Sequence, residues 1–333
     1  MAISGAMRVG VIGTGHLGSI HAKVWKEVES ATLAGVYDAD AARAGKAAHD
    51  AKTRAYPSVR ALLDEVDAVS IVTPTSTHAA VAAEAIAAGK HVFIEKPVTR
   101  TEEEAEALIA AARERKVKLQ VGHIERFNPA ILALDTVRLA PMFVESHRLA
   151  QFNPRANDVS VVLDLMIHDI DIIVSLVGST VDRVEANGVA VVSENLDIAN
   201  ARLQFANGCV ANVTASRISQ KKMRKMRLFQ KDAYISVDFL EGESEMFRLV
   251  DAGEAREGGT KKLGEIETGS RRRTILYQKP KIRKVNPLRY ELERFVDAIV
   301  NDTTPPVTGE DGLLALNVAH RILAKISEQT ITL

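Results

Sequence analysis

The stretch Val9-Gly10-Val11-Ile12-Gly13-Thr14-Gly15-His16-Leu17-Gly18 constrains the fold of this chain more than any other. A short β-branched run ends in a glycine-rich turn, and a helical pattern follows at once through Leu17, Ile20 and Val24, with Trp25 beside them. Strand, G-x-G-x-x-G and helix in that order make a dinucleotide-binding fingerprint. Gly13 allows the tight turn, Gly15 lets the backbone approach a pyrophosphate, and Gly18 lets the helix lie close to the strand. With Thr14, His16 and Leu17 these glycines form the expected cofactor turn, where the free N–H groups and positive dipole end of the helix face the phosphates. The run Thr32-Leu33-Ala34-Gly35-Val36-Tyr37-Asp38 then reads as the next strand and ends in an acid. A carboxylate there is placed to accept hydrogen bonds from both adenosine ribose hydroxyls and to repel a 2′-phosphate, which favours NAD over NADP.

Composition excludes several other classes. Hydrophobic residues make up 46% of the 333 residues and charged residues 26%, enough for a sizeable core in about two domains. Lys+Arg and Asp+Glu both total 43, so no global field recruits nucleic acid or an anionic membrane. The single cysteine, Cys209, can form neither an internal disulfide nor a cysteine-based metal site, which suits a reducing cytoplasm. The opening residues lack the pattern of a secretory signal, and no long uncharged apolar stretch suggests a membrane span. A cytoplasmic protein without nucleic-acid or membrane partners is the expectation.

Strands alternate with helices up to about residue 121. Strands are expected at 8–12, 32–37, 67–73, 90–94 and 117–121, with a weak one near 54–56; helices are expected near 16–28, 40–49, 58–64, 78–88 and 101–115. This rhythm predicts an α/β Rossmann domain, a doubly wound parallel sheet over residues 1–122. From residue 123 to 333 the pattern becomes α+β: a helix from Asn128-Pro129 to about Leu139, a strand near 142–152, and a mostly apolar helix over Val159–Val177 stopped by Gly178. Period-two runs between 181 and about 280 then predict a large, mainly antiparallel sheet, with a hairpin at Asn207-Gly208. Helices near 287–301 and 309–328 close the chain, the last expected to pack back on the first domain.

Two further stretches carry chemistry. Gly89-Lys90-His91-Val92-Phe93-Ile94-Glu95-Lys96-Pro97 is a core strand ending in adjacent opposite charges, at the strand end that faces the binding crevice in such sheets. An ammonium at Lys96 can bind a hydroxyl, and burial would move its basicity toward a useful range; the alternative is a surface ion pair of negligible worth. The second is Asp164-Leu165-Met166-Ile167-His168-Asp169-Ile170-Asp171. On a regular helix Asp164, His168, Asp171 and Ser175 form one polar stripe, either the wet face of a packed helix or a site. Carboxylates flanking His168 would raise its affinity for a proton and orient its ring. No fuller cluster of ligand-type residues accompanies them, so no metal is expected.

Together, G-T-G-H-L-G, then Thr73-Pro74-Thr75 with His78, then G-K-H-V-F-I-E-K-P, then D-x-x-x-H resemble the Gfo/Idh/MocA family of sugar and cyclitol dehydrogenases, in register along essentially the whole chain. The resemblance implies that Lys96 and His168 meet the oxidised carbinol and that Asp164 hydrogen-bonds the substrate. It implies that Glu95 and Pro97 shape the nicotinamide-ribose end of the cofactor site, with Thr73, Pro74, Thr75 and His78 lining its middle. It also implies a homodimer or homotetramer paired through the sheet face. The segments Gly122–Pro129 and Leu163–Asp171 are similar to the UDP-N-acetylglucosamine 3-dehydrogenase branch, whose 3-keto product a partner aminotransferase converts to a 3-amino sugar, in some bacteria for lipid A. On that resemblance Arg126, Asn128 and Arg155 would face the diphosphate or the sugar, a guanidinium fork suiting phosphate oxygens; the alternative for both arginines is a salt bridge. Many family members carry a Gly-Gly pair before the aspartate, whereas Val159–Leu163 is apolar here. A free cyclitol or aldose dehydrogenase is therefore the alternative enzyme, and a non-catalytic NAD-sensing regulator the alternative from another class.

Overall fold

The computed structural model describes residues 6–152, 159–251, 259–268 and 271–329. Two compact units emerge. One runs to Ile124 and takes in Val285–Asn317; the other is Glu125–Lys284 together with the chain from Val318. The boundary expected after residue 122 thus falls at Ile124, and the chain returns to the first unit late.

The first unit holds a six-stranded sheet of β1 (Met7–Ile12), β2 (Ala31–Tyr37), β3 (Arg54–Ala55), β4 (Ala68–Ile71), β5 (His91–Glu95) and β6 (Leu119–Gly122). Every pair is parallel and the order is β3-β2-β1-β4-β5-β6. β4 and β6 are buried at every position, as parallel strands covered on both faces must be. Helices α1 (His16–Trp25), α2 (Ala41–Asp50), α3 (Val59–Leu63), α4 (Thr75–Ala87) and α5 (Glu102–Arg115) connect the strands. The α5 start is a capping box, the Thr101 hydroxyl taking the Glu104 N–H while the Glu104 side chain reaches back.

The face that α1 buries matches the apolar pattern only in its second half. Gly18, His21, Ala22, Val24 and Trp25 are buried, whereas Leu17 is 40% and Ile20 38% exposed. Gly18 decides this: a Cβ there would lie 1.9 Å from the Gly13 carbonyl oxygen, so the helix presses its glycine edge onto the turn. Trp25 then enters the core and donates its indole N–H to Ser70 Oγ at 2.8 Å. Helix α8 (Pro287–Val300), from the C-terminal part of the chain, adds Leu292, Phe295 and Val296 to the same core, and Phe295 meets Phe93 edge-on at 5.9 Å.

The second unit carries a nine-stranded sheet ordered β14-β15-β13-β12-β11-β7-β10-β9-β8. Its strands are β7 (Phe143–Leu149), β8 (Val181–Val189), β9 (Ile198–Phe205), β10 (Val210–Ser216), β11 (Met223–Phe229), β12 (Ala233–Asp238), β13 (Glu243–Asp251), β14 (Thr260–Thr268) and β15 (Arg271–Gln278). All neighbours are antiparallel except β7 and β10, so the sheet is mixed. Asn207-Gly208 turns β9 into β10, with Gly208 at φ +86°. The helix expected from Asn128 to about Leu139 shrinks to one turn, α6 (Pro129–Leu132). Beyond it the Leu134 and Val137 N–H groups bond three residues back, a tighter winding that ends at the β-branched pair Thr136-Val137. The expected helix over Val159–Val177 opens with a π turn at Val162–Met166 and continues as α7 (Ile167–Val177), stopped at Gly178 in the left-handed region.

After α8 comes α9 (Gly309–Gln329). Gly309 packs where a Cβ would meet Ile109 and Leu119 within 2.9 Å, and Gly312 where one would meet Val121 at 2.6 Å, which accounts for the two glycines of its first turn.

Candidate functional site

In the sheet order β3-β2-β1-β4-β5-β6 the connections reverse between β1 and β4, and ligands of such sheets bind outside the carboxyl ends of strands at that point. Gly13 follows β1 at φ +91°, and a Cβ on it would meet the Val72 carbonyl oxygen at 2.6 Å. Gly15 caps α1 and differs from Gly13 and Gly18: beyond its own chain neighbours, no described residue comes within 4 Å of where its Cβ would be. The α1 N-terminus has no side-chain cap and no acid in its first turn. Uncapped N–H groups at the positive end of a helix, beside an open space at Gly15, fit a pyrophosphate. Thr14 is buried, while His16 and Leu17 are exposed at the start of α1.

Asp38 follows β2 and organises this turn. Its carboxylate accepts from Thr14 N at 2.7 Å, Thr14 Oγ1 at 3.0 Å and Asp40 N at 2.9 Å. Burial pushes this carboxyl upward, but the Asp40 and Thr14 donors and the Arg43 guanidinium outweigh it and hold it below the usual carboxylate range. Three of about four acceptor positions are therefore taken. The donors of the turn orient this carboxylate and keep it ionised.

Helix α4 begins at Thr75, earlier than expected, so Thr73 and Pro74 form the β4–α4 turn and Thr75 and His78 stand in the first helical turn. His78 does not line an open groove: it is 1% exposed, with Nδ1 2.9 Å from the Pro97 carbonyl oxygen and Nε2 2.9 Å from that of Thr73. At the end of β5, Glu95 is buried against His21, Nε2 to Oε1 3.0 Å, and packs against Gly122, where a Cβ would lie 2.8 Å from Glu95 Oε1 and displace that carboxylate. Lys96 follows, half-buried, its N–H directed at Glu95 Oε2 at 3.3 Å, and joins Pro97 through a cis peptide bond.

Lys96 belongs to the first unit; Asp164 and His168 belong to the second. Asp164 sits in the middle of the π turn and His168 in the first turn of α7, both half-buried. The chain entering the π turn is pinned by Arg217, which donates to the Val159 and Leu196 carbonyls at 2.7 and 2.8 Å. Arg217 also pairs with Asp197 at 3.1 Å. Two expectations change here. The polar stripe is broken, because Asp171 is 1% exposed while Ser175 is exposed. And the carboxylates beside His168 are bound to arginines: Arg148 from β7 holds Asp169 with two bonds of 2.9 Å, and Arg126 holds Asp171 with bonds of 2.7 and 2.6 Å.

Arg148 is 2% exposed and gives its remaining nitrogen to Glu125 at 2.8 Å; Arg224 also reaches Glu125 at 3.3 Å. Burial alone would lower the Arg148 basicity, but Asp169 and Glu125 raise it above its ordinary value. The sequence held a signal for this: period two in Phe143–Leu149 puts Arg148 on the face of Val144 and Ser146, so its charge had to turn inward and find partners. Arg126 thus has a structural partner in Asp171. Asn128 likewise serves the fold, its Oδ1 capping α6 at Ala130 N and its amide donating to Glu125 and the Phe239 carbonyl. Arg155 lies outside the described residues. Among the described residues no group of three or more metal-ligating side chains gathers, and no helix is long and apolar enough to cross a membrane.

Comparison with known proteins agrees with both units. A family profile described as an oxidoreductase family with an NAD-binding Rossmann fold matches residues 7–123, and a GFO/IDH/MocA C-terminal domain matches 134–236. The chain is 52% identical over 235 residues to UDP-N-acetylglucosamine 3-dehydrogenase from Acidithiobacillus ferrooxidans, over 70% of this chain and 74% of that protein. A solved structure of the enzyme of that name from the same organism superposes with a TM-score of 0.86 at 41% identity, covering 97% of this chain and 98% of the other. Inositol 2-dehydrogenase from Rhizobium meliloti is 28% identical over 348 residues, 97% of this chain and 98% of that one.

Proposed function

The chain belongs to the Gfo/Idh/MocA family of NAD-binding oxidoreductases, and on that premise we propose that it oxidises the 3-hydroxyl of UDP-N-acetylglucosamine to the 3-keto nucleotide sugar. The observation that carries this is the 52% identity to an enzyme of that activity over 74% of its length. The turn after β1 and Asp38 would hold NAD, which when bound would supply the hydride acceptor for the carbinol carbon. Lys96 and His168 share the hydroxyl proton, one removing it from oxygen and the other holding that oxygen as the carbonyl forms. Asp164 hydrogen-bonds the sugar. For the diphosphate we retain Arg126, whose guanidinium would trade part of its Asp171 pair for phosphate oxygens; Arg155 keeps the role the resemblance gave it. The keto product is the substrate class of a sugar-nucleotide aminotransferase, which would place the enzyme in the cytoplasm upstream of an amino-sugar lipid A.

Asp38 supports NAD over NADP through its charge. A 2′-phosphate beside a carboxylate held ionised costs several kcal/mol. The deciding assay follows NADH from purified protein, NAD and UDP-N-acetylglucosamine, with an aminotransferase and glutamate drawing off the ketone. Free N-acetylglucosamine, myo-inositol and an NADP arm run beside it. NADH is expected only with the nucleotide sugar, and kcat/KM should be at least about tenfold higher with NAD than with NADP. Turnover of the free polyols alone would replace this substrate with a cyclitol or aldose, and an NADP preference would overturn the role of Asp38.

The sheet of the second unit also supports self-association. Phe143, Phe229, Tyr234, Phe247 and Tyr277 form a row across five adjacent strands, with ring centroids 5.0 to 5.7 Å apart, all half-buried. Beside the row lie the pairs Arg227–Glu145 at 3.3 Å and Lys225–Asp238 at 3.1 Å. A second copy related by a two-fold axis meets rings with rings and neutralised charge with neutralised charge. Sedimentation equilibrium is expected to give a dimer or tetramer mass; a monomer at micromolar concentration would remove this part of the reading.

A further inference from the structure

The turn that carries Lys96 is gripped from both sides by buried imidazoles. On one side His21, fully buried on α1, meets Glu95 Oε1 at 3.0 Å, and the other oxygen of that carboxylate accepts the Lys96 N–H. On the other side His78 meets the Pro97 carbonyl with Nδ1 and the Thr73 carbonyl with Nε2, both at 2.9 Å. His78 thereby spans two strand ends, linking the turn after β4, which abuts Gly13, to the turn after β5, which holds Lys96.

We propose that His78 is a positioning residue: its imidazole ties the Thr73-Pro74-Thr75 turn to the Glu95-Lys96-Pro97 turn and so sets where the Lys96 ammonium stands relative to the cofactor turn. This rests on the reading of Lys96 as an acid–base group. A residue that lined the cofactor groove would present a ring nitrogen to it, whereas both nitrogens of His78 face backbone carbonyls and the ring is 1% exposed. Neutral imidazole, the form burial favours here, donates to one of the two carbonyls and packs against the other; imidazolium donates to both. Burial pulls the basicity of His78 down, while the Pro97 and Thr73 carbonyls and the Glu95 carboxylate push it up, and burial prevails. A bridge of this kind sets a distance, and a displacement of about 1 Å at a reacting group can cost about a hundredfold in rate.

The test is His78→Gln, which keeps an amide donor but cannot span both carbonyls. NADH binding is read by fluorescence, giving both affinity and the number of competent sites. Turnover per competent site is expected to fall about ten- to hundredfold, with NADH affinity and sugar-nucleotide KM changing less than about threefold. The position of Lys96 is read independently of activity from its 13C-dimethyl-lysine NMR signal, assigned with Lys96→Arg, and that signal should move. A loss of packing alone lowers Tm and the number of sites but leaves turnover per site and the Lys96 signal unchanged, and that result overturns the proposal. If Lys96→Ala is inactive and His78→Gln is normal, the role of His78 falls and the reading of Lys96 stands. If the Lys96 signal moves but Lys96→Ala retains turnover, His78 positions Lys96 and the acid–base reading falls. Should His78→Gln fail to fold, the ring-nitrogen 15N shifts of His78 in the native protein decide: two nitrogens without hydrogen-bonded character overturn the bridge.

Discussion

Truncating Lys96 to alanine is expected to lower turnover of the nucleotide sugar at least about a hundredfold while NAD affinity stays within about twofold. The two expectations separate because of where the residue stands. On the proposed reading, phosphate and adenosine recognition would belong to the turn after β1 and to Asp38 after β2, respectively two and three strands from β5 in the order β2-β1-β4-β5. Lys96 is followed by Val98 and Thr99, both fully buried, so loss of its side chain leaves the local backbone anchored. An ammonium that holds the substrate oxygen acts on the proton transfer and on oxygen charge as the carbonyl develops, terms worth about two to four orders of magnitude in rate. Steady-state kinetics with fluorescence titration of NADH would measure both. Near-normal turnover would remove Lys96 from the chemistry, and a parallel collapse of cofactor affinity would make it a binding residue instead.

Replacing Arg148 with methionine should produce the largest loss of stability, about 3–5 kcal/mol. The guanidinium is almost wholly enclosed and satisfies two carboxylates at once. Methionine has similar bulk, so the loss comes from leaving the buried Asp169 charge without the Arg148 guanidinium, and Glu125 with the half-exposed Arg224 and the Asn128 amide. Adding Asp169→Leu to Arg148→Met should recover much of the loss, because a buried pair replaced by apolar groups on both sides costs little. Urea denaturation of both variants would check this. If the single variant unfolds within about 1 kcal/mol of the parent, the network is not what holds α7 against β7. The same helix carries His168, so the single variant should also lose turnover, by displacement rather than by chemistry.

The elements that sequence periodicity specifies are those whose stability is local. The fingerprint strand, turn and helix, the acid ending β2, and the capped start of α5 each follow from residues close together in the chain. Sequence periodicity misled where a long-range contact decided the outcome. The apolar side chains Leu17 and Ile20 stay exposed because Gly18 sets which edge of α1 touches the turn. The acids beside His168 looked like partners for the imidazole, but Arg126 and Arg148 take them across 45 and 21 residues. Arg126 was legible as an arginine near the site, yet its pairing with Asp171 depends on the packing of a short 3-10 turn at Ile124–Phe127 that no motif announces. His78 was legible as a motif histidine, while its bridge to Pro97 needs two strand ends side by side.

The late return of the chain to the first unit sets an order of assembly during synthesis. Phe93 and Trp25 emerge from the ribosome early, but Leu292, Phe295 and Val296, which complete their shared core, follow only after the whole nine-stranded sheet has been made. Until α8 arrives, the nascent Rossmann unit carries an uncovered aromatic patch, and the intervening unit is translated while that patch waits. Chaperone demand should therefore fall on the first unit, although most of its residues precede the second unit in the chain.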